Sequence, residues 1–288
     1  MLWVPKCTFE WSTDNAGTTY TAAGLGTELA GGGTNHTKAA AATSLLAGSV
    51  VLHDVYWVKI GFITGATSGA SNRFLVDFYC DPAGGTAWET APRIANLAAN
   101  SPSLTQGGVW YEFPLFIKAG TSIGAISQAQ VANTTVRVII GVSGRPTRPE
   151  SVQTGTKVTT YGAVTATTVG TAVTIGANGA LPATYTATFA TTTADHWWWQ
   201  TGILCNDTSQ AAVQYWFDFA AGDANRKQVI QRGLLHHNVG TVEAAGRANM
   251  SGLYAPLRFE KSGTLLYMNG VCTGTADSNW SALVYAVT

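Results

Sequence analysis

The sequence predicts an all-β protein made of two tandem, duplicated antiparallel β-sandwich domains of jelly-roll-like type. Three observations predict this fold class. β-Branched and aromatic residues alternate with small residues along several segments, such as residues 135–142 and 184–190. Clusters of Gly, Asn and Ser separate these segments at intervals of about 8–12 residues, the spacing of sandwiches and barrels. The second half of the chain also repeats the order of motifs in the first half.

The repeat is best seen at a shift of 141 positions, which places residues 54–78 on residues 195–219 without a gap. The shared residues include acidic and tryptophan positions, which the Thr- and Ala-rich composition does not supply by chance. These pairs are Asp54 and Asp195, Trp57 and Trp198, and Asp77 and Asp218. The sequence therefore predicts that one sandwich fold was duplicated and is used twice.

The domain boundaries follow from the repeat. Residues 18–143 are expected to form the first sandwich domain and residues 158–288 the second. Residues 144–157 are predicted to be a linker, because prolines cannot donate to a sheet ladder and this stretch is rich in Gly, Pro and polar residues. Residues 1–17 have no counterpart in the second half. We expect them to form an N-terminal arm that reaches onto a neighbouring domain or subunit.

Helical periodicity is weak throughout the chain. The best candidates are two short stretches, residues 38–46 and residues 91–99, of which the first is rich in alanine. A turn or two of helix is expected near each. An alternating strand–helix architecture is not predicted.

The composition limits the classes of function. Charged residues make up 11% of the 288 residues, against about 25% in an ordinary soluble domain. The surface is therefore covered either by small polar residues or by partner subunits, and we favour partners. The net charge of zero gives no electrostatic footprint for nucleic acid. No apolar run approaches the roughly 20 residues of a membrane span, and residues 1–6 do not resemble a signal peptide. We expect a protein made in the cytoplasm.

The sequence also predicts a protein without catalytic activity. It contains no phosphate-binding loop, no nucleophile elbow, no zinc-binding helix and no EF-hand loop. We therefore assign no catalytic, cofactor-binding or metal-ligating residues. Asp77 and Asp218 lie inside apolar strands, where a carboxylate could bind calcium or a sugar hydroxyl. The structural alternative, which we favour, is a side chain that faces out of the sheet or accepts backbone N–H bonds at a strand end. The four cysteines are far apart and are expected to be free buried thiols: Cys7, Cys80, Cys205 and Cys272.

Two runs of aromatic residues are the candidate interface. Successive side chains on a strand point to opposite faces of the sheet, so such a run places aromatic rings on both faces. One face packs in the sandwich core, and the other must meet a loop, the sister domain or another subunit. The candidate interface residues are Tyr56, Trp57, Trp197, Trp198 and Trp199.

Three other tryptophans are candidates for stacking on sugar rings. Trp88, Trp110 and Trp280 lie near predicted loops. In a chain with 10 tryptophans most indoles fill cores or interfaces, and that structural role is the favoured alternative for each.

Residues 113–125 resemble a strand–turn–strand unit of β-sandwich virion proteins of tailed bacteriophages. The resemblance rests on Pro114 at the start, on the turn that ends in Gly120 and Thr121, and on an apolar strand closed by Gln128 or Gln130. It implies an exposed accessory part of a virion, such as a head decoration protein or a tail-fibre or collar component. Such proteins are commonly trimers or larger rings.

Two hypotheses about function therefore stand. The first is a virion structural protein that assembles through apolar sandwich faces, with copies of itself, a trimer being favoured, and with other virion proteins. The alternative is a carbohydrate-binding module, lectin-like or receptor-binding, whose partner is a host-surface glycan. Neither hypothesis includes a cofactor, a nucleic acid or insertion into a membrane.

Overall fold

The computed structural model describes residues 8–11, 26–64, 73–100, 109–145, 153–162, 170–180, 189–205, 214–237, 259–274 and 280–288. These residues form strands joined by loops, with a single 3₁₀ turn at Gly48–Val50 as the helical segment among them. The predicted all-β class is confirmed. Of the predicted N-terminal arm, residues 1–7 and 12–17 lie outside the described residues, as do residues 146–152 of the predicted linker.

The strands of the first half are β1 (Thr8–Trp11), β2 (Thr27–Ala30), β3 (Thr43–Leu46), β4 (Asp54–Thr64), β5 (Arg73–Asp81), β6 (Ile94–Asn100), β7 (Val109–Phe113), β8 (Ser122–Ala129) and β9 (Thr135–Arg145). The strands of the second half are β10 (Val158–Tyr161), β11 (Thr171–Ala172), β12 (Thr174–Gly176), β13 (Trp198–Cys205), β14 (Gln214–Gly222), β15 (Lys227–His237), β16 (Leu265–Cys272) and β17 (Trp280–Val287).

The first half is a sandwich of two antiparallel sheets. One sheet has β4 between β7 and β9, with β1 and β2 both on the far side of β9. The other sheet has the order β6, β5, β8, β3. Their inner faces share one apolar core, in which the rings of Phe62 on β4 and Phe78 on β5 lie 6.4 Å apart. Strand β1 thus extends a sheet of its own half, whereas an arm onto a neighbouring domain or subunit was expected.

The second half uses the same pairing scheme. Strand β17 has β13 on one side and both β10 and β11 on the other, as β9 has β4 on one side and β1 and β2 on the other. Strand β14 lies between β15 and β16, as β5 lies between β6 and β8. Strand β12 departs from the scheme, because it runs parallel to β16 while β3 runs antiparallel to β8. The repeated pairing is the arrangement that a duplication requires, and the duplication itself stays a prediction.

Strand β10 joins the two halves into one continuous sheet. It pairs antiparallel with β17 of the second half and forms a parallel bridge to β6 of the first half at Val158 and Ile94. The end of the predicted linker is held in place as well. Gly155 exchanges backbone hydrogen bonds with Pro114 and Phe116, each about 2.8–2.9 Å long. The halves are therefore linked by backbone pairing in addition to the connecting chain.

Neither helix candidate forms a helix itself, although the 3₁₀ turn at Gly48–Val50 lies near the first one. Residues 43–46 form strand β3 on β8, and residues 94–100 form strand β6 on β5. In β6 the small side chains of Ala98 and Ala99 are buried under the core. Helix propensity is a weak preference, and pairing with a buried neighbouring strand overrides it.

Candidate functional site

The two aromatic runs meet each other between the halves of one chain. The indole rings of Trp57 and Trp198, which match in the sequence repeat, lie edge to face with centroids 5.3 Å apart. Trp197 and Trp198 are buried in the core of the first half, whereas Trp199 is buried in the core of the second. Tyr56 is buried too, beside Phe116. The sister half therefore contacts Trp57, Trp197 and Trp198, and it was one of the three partners that the sequence left open. Tyr56 and Trp199 are instead covered within their own halves.

Strand β17 is buried on both of its faces. One set of alternating side chains packs in the core of the first half: Leu283, Tyr285 and Val287. The other set packs in the core of the second half: Trp280, Ala282, Val284 and Ala286. This strand and the paired rings of Trp57 and Trp198 define what we call the inter-half interface. A strand that fills two cores at once ties the stability of each half to the other.

A buried hydrogen-bond network crosses the inter-half interface. The Tyr285 hydroxyl accepts the Ala98 N–H at 2.9 Å and donates to the Asn96 carbonyl at 3.3 Å. The Tyr111 hydroxyl donates to the Ala98 carbonyl at 2.5 Å, and its ring lies 5.3 Å from that of Tyr285. Burial raises the pKa of both tyrosines, so both remain protonated donors. The two hydroxyls thus supply hydrogen-bond partners for backbone N–H and carbonyl groups of β6.

Polar contacts continue along the edge of the interface. The Glu112 N–H donates to Gln200 Oε1 at 3.1 Å, and Trp198 Nε1–H donates to the Glu112 carbonyl at 3.3 Å. The Glu112 carboxylate pairs with Lys59 Nζ at 2.9 Å. Lys59 Nζ in turn lies 5.2 Å above the ring of Trp110.

The structure separates the three tryptophans proposed for sugar stacking. Trp280 is fully buried, with its ring 4.6 Å from Tyr215, so the protein itself covers both faces. Trp110 is half-buried across from Gly61, where a Cβ would come within 2.6 Å of its ring, and Lys59 lies over it. Trp88 is half-buried and lines an open cleft. Of the three, Trp88 presents the indole with most room beside it.

We call this feature the Trp88 cleft. It has a volume of about 600 Å³, within the range of about 300–1,000 Å³ that is usual for ligand sites. Its floor is the outer face of the sheet at β5 and β8, and its walls are residues 40–42 and the β5–β6 loop. It is lined by residues 40–42, Tyr79, Thr86, Trp88, Glu89 and Ile126.

The ring of Trp88 packs against a glycine, Gly124. Tyr79 on β5 pairs across the strands with Gly124 on β8. A Cβ on Gly124 would lie 2.6 Å from the six-membered ring of Trp88, so only glycine lets the indole settle on the sheet. One ring face is thereby used against the backbone of β8.

A buried carboxylate orders the loop that carries Trp88. Asp81 Oδ1 accepts the Ala83 N–H at 2.9 Å, while Oδ2 accepts the N–H groups of Gly85 at 3.0 Å and Ala87 at 2.9 Å. The loop is also fixed to β5 by the hydrogen bond from the Glu89 N–H to the Cys80 carbonyl, 2.9 Å. Asp81 escaped the sequence analysis, although an acid followed by Pro-Ala-Gly-Gly indicates a capped turn.

The acidic groups near the cleft are already paired. Glu89 binds Arg93 through two hydrogen bonds of 2.7 and 2.6 Å, and these raise the pKa of Arg93. Asp77 is buried on the same sheet, where it accepts the Asn96 N–H at 2.8 Å and contacts Lys38 Nζ. Burial, together with the Asp77 charge, raises the pKa of Tyr79.

Asp77 therefore binds the backbone, one of the two structural roles that the sequence left open, but it does so at a β-bulge and not at a strand end. The register between β5 and β6 shifts between Val76 and Phe78, and Asp77 binds the displaced amide. The register between β14 and β15 shifts likewise between Phe217 and Phe219, across the buried Asp218. In the described part of the chain, no group of three or more His, Cys, Asp or Glu side chains is placed to hold a metal ion.

The other matched acids, Asp54 and Asp195, cap equivalent turns. Asp54 Oδ1 accepts the Ala119 N–H at 2.9 Å, and Asp195 Oδ1 accepts the Ser262 N–H at 2.8 Å. Each turn then contains a glycine with positive φ, +80° and +90°. The repeated Asp was visible in the sequence, but its partner was not, because the two lie about 65 residues apart.

The remaining polar and sulfur groups are structural. His196 is buried with its Nε2 2.6 Å from the Tyr161 hydroxyl, and burial lowers its pKa. Cys80 and Cys272 are buried thiols, as expected, and burial raises the pKa of Cys80 to about 12. The side chains of Cys7 and Cys205 lie outside the described residues.

No helix of the described residues is long and apolar enough to cross a membrane.

Comparison with known proteins gives distant likenesses. No protein-family model matches the chain, and no curated protein is significantly similar to it. Among solved structures, it is similar to the cowpea mosaic virus top component, naturally occurring empty particles, with a TM-score of 0.31 and 11% identity over 98% of this chain and 88% of that one. It is also similar to the Sulfolobus turreted icosahedral virus, with a TM-score of 0.36 and 7% identity over 97% and 90%.

A third likeness is to the N-terminal CBM22-1-CBM22-2 tandem domain of Xyn10C from Paenibacillus barcinonensis. Its TM-score is 0.29, with 10% identity over 97% of this chain and 82% of that one. These three scores are too low to assign a common topology or a function.

Proposed function

We propose that this chain is a non-enzymatic structural protein of a virion, an exposed accessory part of a tailed bacteriophage such as a head decoration, collar or tail-fibre component. The observation that carries the proposal is the inter-half interface. The halves share a sheet through β10, and β17 is buried on both faces. Two sandwiches joined in this way meet at a fixed angle.

A fixed angle suits a subunit of an assembly. Subunits of closed, symmetric particles must meet neighbours in the geometry that the symmetry sets. Two domains on a linker move relative to each other unless their interface is large and hydrophobic. Here the interface is aromatic, buried and hydrogen-bonded, which meets that condition.

The resemblance of residues 113–125 to phage sandwich proteins also supports the proposal. Strand β7 ends at Phe113, the turn at Gly120 is capped by Asp54, and β8 begins at Ser122. The segment thus contains the turn and the apolar strand of the resemblance, whereas isolated bridges at Leu115 and Ile117 stand in place of its first strand.

The proposed partners are copies of the same chain, with a trimer favoured, and other virion proteins. The protein would be made in the host cytoplasm and located in the virion. Since the aromatic runs are covered within one chain, contacts between copies fall on other surfaces. Large apolar side chains are exposed at four positions of the described residues: Val50, Leu52, Val131 and Phe259. Contacts between copies therefore rest mainly on small and polar side chains.

Light scattering after size exclusion tests self-assembly of the purified full-length chain. The proposal predicts a mass of three or more times 30.2 kDa. A 30.2 kDa monomer that persists at high protein concentration contradicts the self-assembly on which the proposal depends.

Carbohydrate binding is the second candidate function, favoured by one observation, the Trp88 cleft. The two functions are compatible, because a receptor-binding fibre is both a virion part and a glycan binder. Their experiments are separate, since self-assembly and glycan binding are measured independently.

A further inference from the structure

We propose that the Trp88 cleft binds a neutral pyranose unit of a glycan, with the ring stacked on the indole of Trp88 and its hydroxyls bound by Tyr79, Thr86 and Glu89. This inference rests on the second candidate function and does not depend on the virion role. It follows from three properties of the cleft: its aromatic platform, its polar rim and its charge.

The platform is held flat against the sheet. Gly124 receives one face of the indole, and its missing Cβ keeps the ring close to β8. Among the described residues no aromatic ring stacks on Trp88 and no hydrogen bond is made by its Nε1–H. The axial C–H groups of a pyranose form an apolar patch that fits such a ring, and the indole N–H is free to bind a hydroxyl.

Neither of the other two candidate tryptophans offers an open ring face to a sugar. Trp110 also rests on a glycine, Gly61, but Lys59 lies over its ring. Trp280 is enclosed by the core of the second half. Trp110 is therefore a matched control, because it resembles Trp88 in burial and in its glycine seat but has Lys59 over its ring.

The rim supplies the polar groups that a sugar needs. Thr86 and Tyr79 carry hydroxyls, and Glu89 carries carboxylate oxygens that accept bonds from sugar hydroxyls. These groups are positioned in advance, since the buried Asp81 binds three N–H groups of the loop and Arg93 holds Glu89 by two hydrogen bonds. A site ordered before binding loses less entropy when its ligand arrives.

The charge of the cleft selects a neutral ligand. No lysine or arginine is among its lining residues, and its one carboxylate, that of Glu89, is neutralised by Arg93. A nucleic acid base could stack on the same indole, but its phosphates require cationic side chains along the groove. An acidic polysaccharide lacks a cationic partner for the same reason.

The test is affinity electrophoresis of the native full-length protein in gels containing hydroxyethyl cellulose, xylan, mannan, dextran or a polyuronate. Calorimetry with the hexasaccharide of any retarding polymer follows. We expect retardation by at least one neutral polymer and by no polyuronate. Trp88→Ala should weaken binding by about tenfold or more, which corresponds to about 1.4 kcal/mol. Trp110→Ala should leave the affinity within about twofold.

Removal of Trp88 also uncovers Gly124, so a second variant tests the cleft without removing the ring. Ala41 is exposed on the cleft wall, and Ala41→Arg should block the ligand while leaving the thermal midpoint unchanged. If Trp110→Ala and Trp88→Ala weaken binding equally, the Trp88 cleft is not the binding site, although the protein still binds a glycan. Absence of retardation by every neutral polymer overturns both the site and the second candidate function, and leaves the light-scattering result untouched.

Discussion

The substitution Tyr285→Phe tests whether the inter-half interface is part of the folding unit. It removes only the hydroxyl oxygen that accepts the Ala98 N–H at 2.9 Å, and Ala98 is fully buried. The ring and its edge contact with Tyr111 remain. A buried donor left without an acceptor costs about 1–3 kcal/mol. Because the Asn96 carbonyl also loses a donor, at 3.3 Å, we expect a loss of about 2 kcal/mol in the free energy of unfolding.

Urea unfolding followed by tryptophan fluorescence and by circular dichroism measures this loss. Tyr267→Phe is the matched control, since its hydroxyl donates to the carbonyl of Asp223, an exposed residue, at 3.0 Å. There water replaces the lost bond, and the expected cost is about 0.5 kcal/mol. In the parent chain both probes should give one coincident transition. A cost for Tyr285→Phe no larger than that for Tyr267→Phe would refute the reasoning, as would two separate transitions in the parent.

Three further predictions concern buried or capping polar groups. Asp54→Ala should cost about 1–2 kcal/mol and Asp195→Ala less than about 1 kcal/mol in urea unfolding, because both lose a turn cap but Asp195 is exposed. Asp77→Ala should cost about 2–3 kcal/mol, because a buried bulge amide and Lys38 lose their acceptor. Burial lowers the pKa of His196 below its ordinary value of 6.5. Between the folded pKa and pH 6.5 the unfolded chain therefore binds a proton that the folded chain does not. The contribution of His196 to the free energy of unfolding should be complete above pH 6.5 and should decrease as the pH falls toward the folded pKa.

Each of these predictions has a distinct contrary result. Equal costs at Asp54 and Asp195 would mean that solvent exposure does not set the strength of the turn cap. If the thermal midpoint of Asp77→Ala equals that of the parent, Asp77 does not stabilise the β-bulge. For His196, the slope of the urea midpoint between pH 5 and 7 should flatten in His196→Gln, whose side chain does not titrate; an unchanged slope would assign the acid sensitivity to other groups.

Local features of the fold were predictable from the sequence, because strand periodicity reflects burial directly. Adjacent tryptophans on a strand must place rings on both faces, and Trp198 and Trp199, the first two residues of β13, do lie in different cores. Trp197 precedes the strand and lies in the same core as Trp198. The repeat likewise predicted equivalent strands, and β4 and β13 both pair with the last strand of their half.

Long-range pairing was not predictable in the same way. Nothing in residues 158–161 indicates that this strand would join the two halves into one sheet, since its pairing depends on the strands that lie beside it in space. The Ala-rich residues 91–99 favoured helix by propensity, but the burial of Ala98 under Tyr285 decides for a strand. One sequence cannot supply contacts of this range.

The candidate site was predictable only as a set of residue types. Trp88, Trp110 and Trp280 look alike in the sequence, each near Gly, Asn or Ser residues. What distinguishes them is a neighbour far along the chain: Gly124 beneath Trp88, Lys59 over Trp110 and Tyr215 against Trp280. Such neighbours are set by register and topology rather than by local sequence.

The most direct test of the virion proposal is the protein composition of purified particles. Particles released from the host that carries this gene would be banded in a density gradient and analysed by quantitative peptide mass spectrometry. The proposal predicts that the chain bands with the particles at a fixed ratio to the major coat protein, in a multiple that fits its oligomer. Abundant chain in the lysate but none in the banded particles would contradict it.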